Sequence, residues 1–400
     1  MNGVSNVKNN ELVHAEHGAG MPRRDFLRKS ILLALPLAMG GFTLPAVAAV
    51  YVPPTRARGS TRISVVDAGA LGNGSNDDTS AFQLAIDRLP ADGGTVYVPA
   101  GNYVIDPTRN VRLRSKMHLE MAPGAKLLAK RNSDDRAYVL MVYKVSDVEI
   151  SGGEIVGDRD NHLGTTGEWG HGIMVRGSSR VTVRDMRISK CWGDGISIGG
   201  AMVLGQPSIP CYDVAIGNIV STGNRRQALS IGRSSKVRVY DSEFSYTAGL
   251  APGCGIDIEP DADDLGVTSD VHIENCRILH NQGNGIQVYK RVTGVTIKGN
   301  LLDYNGGYGV LAIGSSSCFI ATNIIRHHYL EGVMIRVASS DYQVSDNSFR
   351  NNKTRLWGIR TGYPTIWMTG LVAGSSGNGA HIVVTSDTSN VRVTTNGYAK

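Results

Sequence analysis

A short motif recurs along the chain at intervals of about 23 residues, and this repeat limits the possible folds more than any other feature. Segments of the form Val/Ile-x-x-Asn end at Asn300, Asn323 and Asn347, which are 23 and 24 residues apart. A unit of this length cannot bury an apolar face by itself, so successive units must stack into a solenoid. We expect these asparagines to form a ladder of buried amides at its turns. Related segments end upstream at Gly153, Met186, Ile219, Ser242 and Cys276.

A second pattern, in which apolar residues alternate with others, repeats in phase with the first. A period of two is typical of β-strands, and the chain has neither heptads nor long stretches of 3.6-residue periodicity. The coils are therefore expected to be β-strands. In the segment "GCGIDIEPDADD", alternation directs Ile256 and Ile258 inward and Asp257 and Glu259 outward, to solvent. The pattern occurs at His171–Arg176, Asp194–Gly199, Gln227–Gly232, Cys254–Glu259, Asn284–Tyr289, Tyr308–Ile313 and Glu331–Arg336.

The repeat also predicts which outward side chains are neighbours, because equivalent residues of stacked parallel strands lie about 4.8 Å apart. The small side chains in two coils beside Asp257 and Glu259 predict a trough. Asp194 is expected at its edge, roughly 10 Å away across two coils. The column of Asp257 reads Met174, Ser197, Ser230, Asp257, Gln287, Leu311 and Met334; that of Glu259 reads Arg176, Gly199, Gly232, Glu259 and Tyr289; that of Asp194 reads His171, Asp194, Gln227, Cys254 and Asn284.

Two carboxylates at positions i and i+2 of one strand suit acid–base chemistry. Side chains two residues apart on a strand are separated by roughly 7 Å, near the roughly 6.5–9.5 Å of inverting glycosidases. We predict Asp257, Glu259 and Asp194 as catalytic residues, with Glu259 as the acid and Asp257 as the base. Insertions at 158–168, 200–210 and 260–270 are expected to wall a cleft. The predicted substrate-binding residues are His171, Trp192, Arg225, Arg226, Gln227, Gln287, Tyr289 and Lys290.

The segment Ile63–Ile105 carries a recognisable pattern of helix, strand and turn. Asp77 to Thr79 can cap a helix over about Ser80–Leu89, and "GGTVYVPAGNY" reads as a strand and turn. The segment resembles the N-terminal part of the pectate-lyase-like superfamily, in which a helix plugs the end of a right-handed parallel β-helix. The resemblance implies an all-β, right-handed parallel β-helix from about Ile63 to Val393 with an N-terminal capping helix. The apolar positions expected on the buried helix face are Ala81, Leu84, Ala85 and Ile86.

The strand "WGDGISI", Trp192–Ile198, is similar to the Gly-Asp-Asp strand of polygalacturonases. Asp194 matches the first acid of that motif, whereas Gly195 stands in place of the second. A Gly-His-Gly lies at 170–172, upstream of the acid instead of downstream, and no Arg-Ile-Lys follows. The resemblance implies a related fold and a polysaccharide substrate rather than polygalacturonase activity itself.

Three functions fit acids in the cleft of a β-helix. The first is a glycoside hydrolase acting on a polysaccharide, which needs no metal or other cofactor. The basic residues near the trough favour an acidic polysaccharide. The second is a uronate lyase with a Lys or Arg base and Ca²⁺ on clustered acids. The third is a carbohydrate-binding solenoid without catalysis. The sequence favours the hydrolase because Asp257 and Glu259, two positions apart on one strand, are spaced near the range of inverting glycosidases.

Residues 1–48 have the order of parts found in an export leader. Arg23 and Arg24 precede Asp25-Phe26-Leu27, a short apolar run at 31–42 and small residues at 46–49. The pattern resembles a twin-arginine signal. The run is too short to span a bilayer. We therefore expect a single domain, 49–400, exported by the twin-arginine translocase to the periplasm or outside the cell, without a membrane span.

Charge, cysteine content and missing motifs argue against other classes of protein. The net charge of +6 comes from dispersed Lys and Arg, so no nucleic-acid partner is expected. The five cysteines are odd in number and lack C-x-x-C spacing, which predicts buried thiols instead of a zinc site or a disulfide framework. Motifs of zinc proteases, phosphate loops, serine hydrolases and dinucleotide-binding folds are missing from the sequence.

Overall fold

The computed structural model describes residues 51–261, 266–353 and 381–399. The predicted export leader lies outside these residues and stays a prediction. Within the described ranges, no helix has the length and apolar character needed to cross a lipid bilayer.

Three long parallel sheets run the length of the described chain and enclose its core. The first sheet contains β1 (Thr61–Ser64), β3 (Gly94–Val98), β6 (Met117–Met121), β9 (Ser146–Ser151), β12 (Ser179–Arg184), β17 (Cys211–Gly217), β20 (Ser234–Tyr240), β23 (Thr268–Glu274), β26 (Val292–Lys298), β29 (Ser316–Ala321), β32 (Ser340–Ser345) and β35 (Ser389–Thr394). The second contains β2 (Asn73–Asp77), β4 (Gly101–Ile105), β7 (Ala125–Ala129), β10 (Glu154–Val156), β13 (Arg187–Ser189), β18 (Val220–Thr222), β21 (Glu243–Ser245), β24 (Arg277–Leu279), β27 (Leu301–Asp303), β30 (Ile324–Arg326), β33 (Ser348–Arg350) and β36 (Gly397–Ala399).

The third sheet carries the candidate site. Each coil visits the third, first and second sheets in turn, so the predicted parallel β-helix is confirmed. The strands of the third sheet are β5 (Val111–Leu113), β8 (Arg136–Tyr143), β11 (Trp169–Arg176), β14 (Ile196–Gly199), β19 (Leu229–Ile231), β22 (Ile256–Ile258), β25 (Ile286–Tyr289), β28 (Val310–Ile313), β31 (Val333–Arg336) and β34 (Ile382–Val384).

The core of the solenoid is built from stacked aliphatic side chains, one from each coil. Ile256 and Ile258 on β22 are fully buried and point inward, as alternation predicted. Burying such a side chain contributes about 1.5–3 kcal/mol, and the column repeats this burial in every coil. The strand alternation therefore both closes the core and fixes which residues face outward. The inward column of the third sheet includes Ile173, Ile196, Leu229, Ile256, Ile286 and Val310.

Buried amides hold the turns between the first and second sheets. The side-chain Nδ2 and backbone N–H of Asn300 both donate to Oδ1 of Asn323, and Asn323 bonds in the same way to Asn347. This confirms the predicted ladder, and the N–H of Cys276 donates to Oδ1 of Asn300 at its end. A second ladder, which we did not predict, follows the second sheet. It contains Asn281, Asn305, His328 and Asn352.

One helix, α1 (Thr79–Asp87), lies at the N-terminal end of the solenoid, where a capping helix was predicted. The predicted buried face was wrong in part. Phe82, Ala85 and Ile86 are fully buried, whereas Leu84 is 41% exposed. Phe82 defines the face because its ring packs edge-on against Tyr103, with 5.3 Å between centroids. That contact turns Leu84 to the solvent side.

All five cysteines are buried and free, as the sequence predicted. Burial raises the pKa of the thiols, Cys191, Cys254 and Cys276 among them. Their sulfur atoms therefore stay protonated, and they act as small core residues.

Candidate active site

The predicted outward columns are reproduced by the strand register of the third sheet. The Cα partners of Asp257 are Ser230 on β19 and Gln287 on β25. The column continues to Ser197 and Met174 on one side and to Leu311 and Met334 on the other. The backbone N–H of Glu259 donates to the carbonyl of Ile231, so Glu259 continues the ladder directly after β22. The two acids are thus held by a rigid strand.

Asp257 does not face solvent as predicted, because neighbouring side chains cover it. Only 3% of its surface is exposed. The Nε2 of Gln227 donates to Oδ2 at 2.7 Å, and the Nε2 of Gln287 donates to Oδ1 at 3.0 Å. Asn284 holds Gln287 in turn, with its Nδ2 3.0 Å from Oε1. Gln227 and Gln287, predicted to bind substrate, therefore orient the carboxyl group of Asp257.

The environment raises the pKa of both strand acids. Burial raises the pKa of Asp257 to about 6, against the opposing effects of the Arg226 charge and the two glutamine hydrogen bonds. Partial burial, with the Asp257 carboxylate beside it, raises the pKa of Glu259 to about 7. Arg226 and Lys290 oppose that rise. At neutral pH, Glu259 is the acid that better retains its proton.

Asp194 is also buried, and it belongs to a polar network beneath the trough. Ser230 Oγ donates to its Oδ2 at 2.8 Å, and Arg226 Nη1 lies 3.2 Å from the same atom. The Nε of Arg226 is 3.0 Å from a carboxylate oxygen of Glu168. Burial raises the pKa of Asp194 despite the Arg226 charge. Asp194 was predicted at the edge of the trough, but Ser230 and Arg226 of the next coil contact its carboxylate and it is fully buried.

His171 is buried behind Asp194. Its Nδ1 accepts the backbone N–H of Asp194 at 3.1 Å, and its ring stacks on Tyr138. Burial lowers its pKa well below the usual range, which keeps the imidazole neutral. With 3% of its surface exposed, His171 supports the network rather than lining an open groove.

The two aromatic residues predicted to bind substrate, Trp192 and Tyr289, are only partly available to a ligand. The Trp192 ring packs against His162, 4.0 Å between centroids, and against the guanidinium of Arg225, 3.7 Å from its centroid. Both groups stack closely on the ring, so we assign Trp192 and Arg225 to the cleft wall. Tyr289 remains partly exposed, and Lys290 Nζ lies 4.8 Å from its ring centroid.

Arg176 occupies part of the predicted trough, and we did not single it out from the sequence. Its guanidinium lies across Gly199, where an added Cβ would be 3.4 Å from Cζ. Its Nη2 donates to Ser197 Oγ, and its Nη1 donates to the Ser197 carbonyl. The column of Glu259 could have predicted this position. A long side chain next to two glycines in a column can lie across the space that the glycines leave.

The insertions were predicted to form walls and are structured where they are described. Residues 158–168 include a 3₁₀ turn at Arg159–Asn161, and residues 200–210 form an antiparallel hairpin of β15 (Ala201–Val203) and β16 (Gln206–Ile209). Residues 262–265 of the third insertion lie outside the described residues. In the described part of the chain, no group of three or more His, Cys, Asp or Glu side chains is arranged to hold a metal.

Residues 131–269 and 252–397 match the family model described as right handed beta helix region, which covers more than half of the chain. The chain belongs to the right-handed β-helix family. Residues 62–134 match the model described as rhamnogalacturonase A/epimerase, pectate lyase-like. The right-handed fold and the pectate-lyase-like resemblance of the N-terminal segment are thereby confirmed.

Individual members of this β-helix group show what the chain is similar to. It is 26% identical over 328 residues to the uncharacterised protein YclG of Bacillus subtilis, covering 76% of this chain and 55% of the relative. The chain therefore spans about half the length of that curated relative. The A-module of mannuronan C-5 epimerase AlgE6 of Azotobacter vinelandii superposes with a TM-score of 0.64 at 18% identity, covering 84% of this chain and 99% of that module. The surface adhesin PfbA of Streptococcus pneumoniae superposes with a TM-score of 0.63 at 19% identity, covering 84% and 89%. At these identities the two structures show the fold alone.

Proposed function

We propose that this β-helix protein is an exported glycoside hydrolase that cleaves a polysaccharide in the groove of its third sheet. The observation that carries the proposal is the pair Asp257 and Glu259, which extend from one strand to the outer face of the sheet with pKa values raised to about 6 and about 7. Pairs of carboxyl groups with raised and unequal pKa values suit an acid and a base. The names of the matched N-terminal model and of the epimerase neighbour support a polysaccharide substrate.

In the proposed mechanism, Glu259 protonates the leaving glycosidic oxygen while Asp257 takes a proton from the attacking water. The higher pKa of Glu259 keeps it protonated near neutral pH, as a general acid requires. Gln227 and Gln287 fix the Asp257 carboxyl group, so its remaining lone pairs point to a defined place. Positions i and i+2 on one strand, such as those of Asp257 and Glu259, are roughly 7 Å apart. This spacing leaves room for a water molecule and corresponds to the inverting mechanism. Arg226 prevents the pKa values of both acids from rising further.

A uronate lyase is the second candidate, and Lys290 is the observation that favours it. Its side chain is exposed beside Glu259 and enters no ion pair with the residues that the structure describes. A deprotonated Lys could abstract the proton next to a uronate carboxylate. The fold is also used by the adhesin PfbA, so binding without catalysis is the third outcome that the experiment must distinguish.

One assay separates the three. Mature protein is incubated with acidic and neutral polysaccharides, and both new reducing ends and absorbance from unsaturated uronates are recorded. Reducing ends without the absorbance are expected. Both signals together would identify a lyase, and binding without either signal would overturn catalysis. Preparations of Asp257→Asn serve as the control for contaminating activity, because their folded state retains the strand.

A further inference from the structure

We propose that the substrate is an anionic polysaccharide that lies along the solenoid axis, with its acidic groups bound by Arg176 at one end of the groove and by Arg336 at the other. The proposal names the substrate class of the site above, and it rests on the proposed function only in placing the polysaccharide on the third sheet. Its basis is the position of these two arginines and the accessible guanidinium donors that no described residue engages.

The two arginines stand in the same outward column as Glu259 and at equal distances from it. The strand register pairs Arg176 with Gly199 at one end and joins Tyr289, Ile313 and Arg336 at the other. Between them, the register of Ile198, Ile231, Ile258 and Val288 places the residues that follow, Gly199, Gly232, Glu259 and Tyr289, in one column. Each arginine is therefore three coils from the acid, about 14 Å at the spacing of a parallel sheet. A linear polymer parallel to the axis would pass one arginine, the acids and then the other arginine.

Arg176 presents a free edge of its guanidinium group. Its Nη1 donates to the carbonyls of Val175 and Ser197, and its Nη2 donates to Ser197 Oγ. Three of the five N–H donors of an arginine are used in this way. The two that remain, on Nε and Nη2, form the edge that holds a carboxylate or sulfate in bidentate fashion. Ser197 thus fixes the group while leaving its recognition edge unbonded by any residue the structure describes.

Arg336 likewise has no acidic partner among the residues that the structure describes. Its guanidinium makes no hydrogen bond or ion pair with residues of the described ranges. The Nε is buried, so the donors that can reach a ligand are those on Nη1 and Nη2 of this partly exposed side chain. A partly buried guanidinium without an anion is unfavourable, because desolvation is not offset by pairing. Arg226, by contrast, already pairs with Asp194 and Glu168. Arg176 and Arg336 are therefore the cations available to a ligand at the two ends.

Binding is measured by affinity electrophoresis and calorimetry on the inactive Asp257→Asn/Glu259→Gln protein. The probes are polygalacturonate, carboxyl-reduced polygalacturonate as the matched neutral polymer, and chondroitin sulfate. We expect Arg176→Gln and Arg336→Gln each to weaken binding of an anionic polymer about tenfold or more, the loss expected for one charge-assisted contact. Arg350→Gln, which removes an exposed arginine on the second sheet, should leave binding unchanged.

The probes identify the anion. Preference for polygalacturonate over its carboxyl-reduced form assigns the two arginines to carboxylates. Chondroitin sulfate carries both carboxylates and sulfate esters, so binding of it that is lost on chemical desulfation assigns the arginines to sulfate esters. Equal binding of the neutral polymer, or wild-type affinity in both single variants, would overturn the proposal. Arg336→Gln removes no described side-chain contact, so its result does not depend on a change in folding. Turnover of a neutral glycan by the active protein would refute this inference and leave the hydrolase standing. Arginine-dependent binding without turnover would support this inference and refute the hydrolase.

Discussion

The pH dependence of turnover tests the roles of Asp257 and Glu259 most directly. The base must be ionised and the acid protonated, so kcat/KM should follow a bell with limbs near the raised pKa values of about 6 and about 7. With these values, about 60% of the protein is correctly protonated at pH about 6.5, and about 3% at pH about 8.5. Activity should therefore fall about twentyfold over those two pH units.

The two limbs should respond to different substitutions. Glu259→Gln should remove the alkaline limb and Asp257→Asn the acid limb, each with turnover lowered by about 10² or more, or about 2.7 kcal/mol in the barrier. Initial rates from pH 4 to 9 measure both effects. Asp346→Asn, at an exposed turn away from the third sheet, is the matched control and should keep the wild-type profile. An alkaline limb that persists in Glu259→Gln would refute the assignment of the acid.

Three further results are expected. Turnover should survive a chelator, because the acids are needed as acid and base rather than as ligands; loss restored by Ca²⁺ would favour the lyase instead. Replacing Arg23 and Arg24 by Lys should abolish export, and processed protein in the periplasmic fraction of that variant would rule out a twin-arginine signal. Phe82→Ala should lower the free energy of unfolding by about 3–5 kcal/mol in urea titrations, because the ring of this α1 residue is fully buried against Tyr103; a loss below about 1 kcal/mol would contradict its role in the capping helix.

The neighbours in the site could be predicted from the sequence because two periodicities determine them. Alternation with a period of two determines whether a side chain points into the core or outward. The alignment of successive coils determines which side chains lie above and below it. The columns of Asp257 and Glu259 therefore followed from alignment of the coils alone.

Burial of the acids could not be predicted in the same way. A column gives the order of stacked residues, but it does not say which long side chain folds over its neighbour. Gln227 and Arg226 come from a corner of the neighbouring coil, and their contacts with Asp257 and Asp194 depend on side-chain torsions. The burial of Phe82 was likewise not predicted, because a contact with Tyr103, outside the helix, determines which face of α1 is buried.

The arrangement that raises the pKa of Asp257 also carries a cost in stability. The pKa is 3.8 for an ordinary aspartate and about 6 in the folded protein. The folded state thus binds more protons than the unfolded state between these values, so stability falls as pH rises through that window and stays lower above it. A shift of this size corresponds to about 3 kcal/mol at pH 7.

Asp257→Asn should therefore leave the folded state at least as stable as the wild type at pH 7 while turnover is lost. The Oε1 of Gln227 is buried without a partner among the described residues. If the Gln227 amide turns so that this oxygen accepts the Nδ2 of the new asparagine, the Nε2 of Gln227 takes the position without a partner. The number of satisfied groups is then unchanged, and the gain in stability at pH 7 comes from removing the buried charge. Urea titrations at pH 7 and pH 4 measure the difference between the two proteins. The relative gain of the variant should shrink at pH 4, where the wild-type carboxyl group is protonated in the folded state. A variant that is less stable by the same amount at both pH values would show that the carboxylate is needed for folding and that ionisation of Asp257 carries no such penalty.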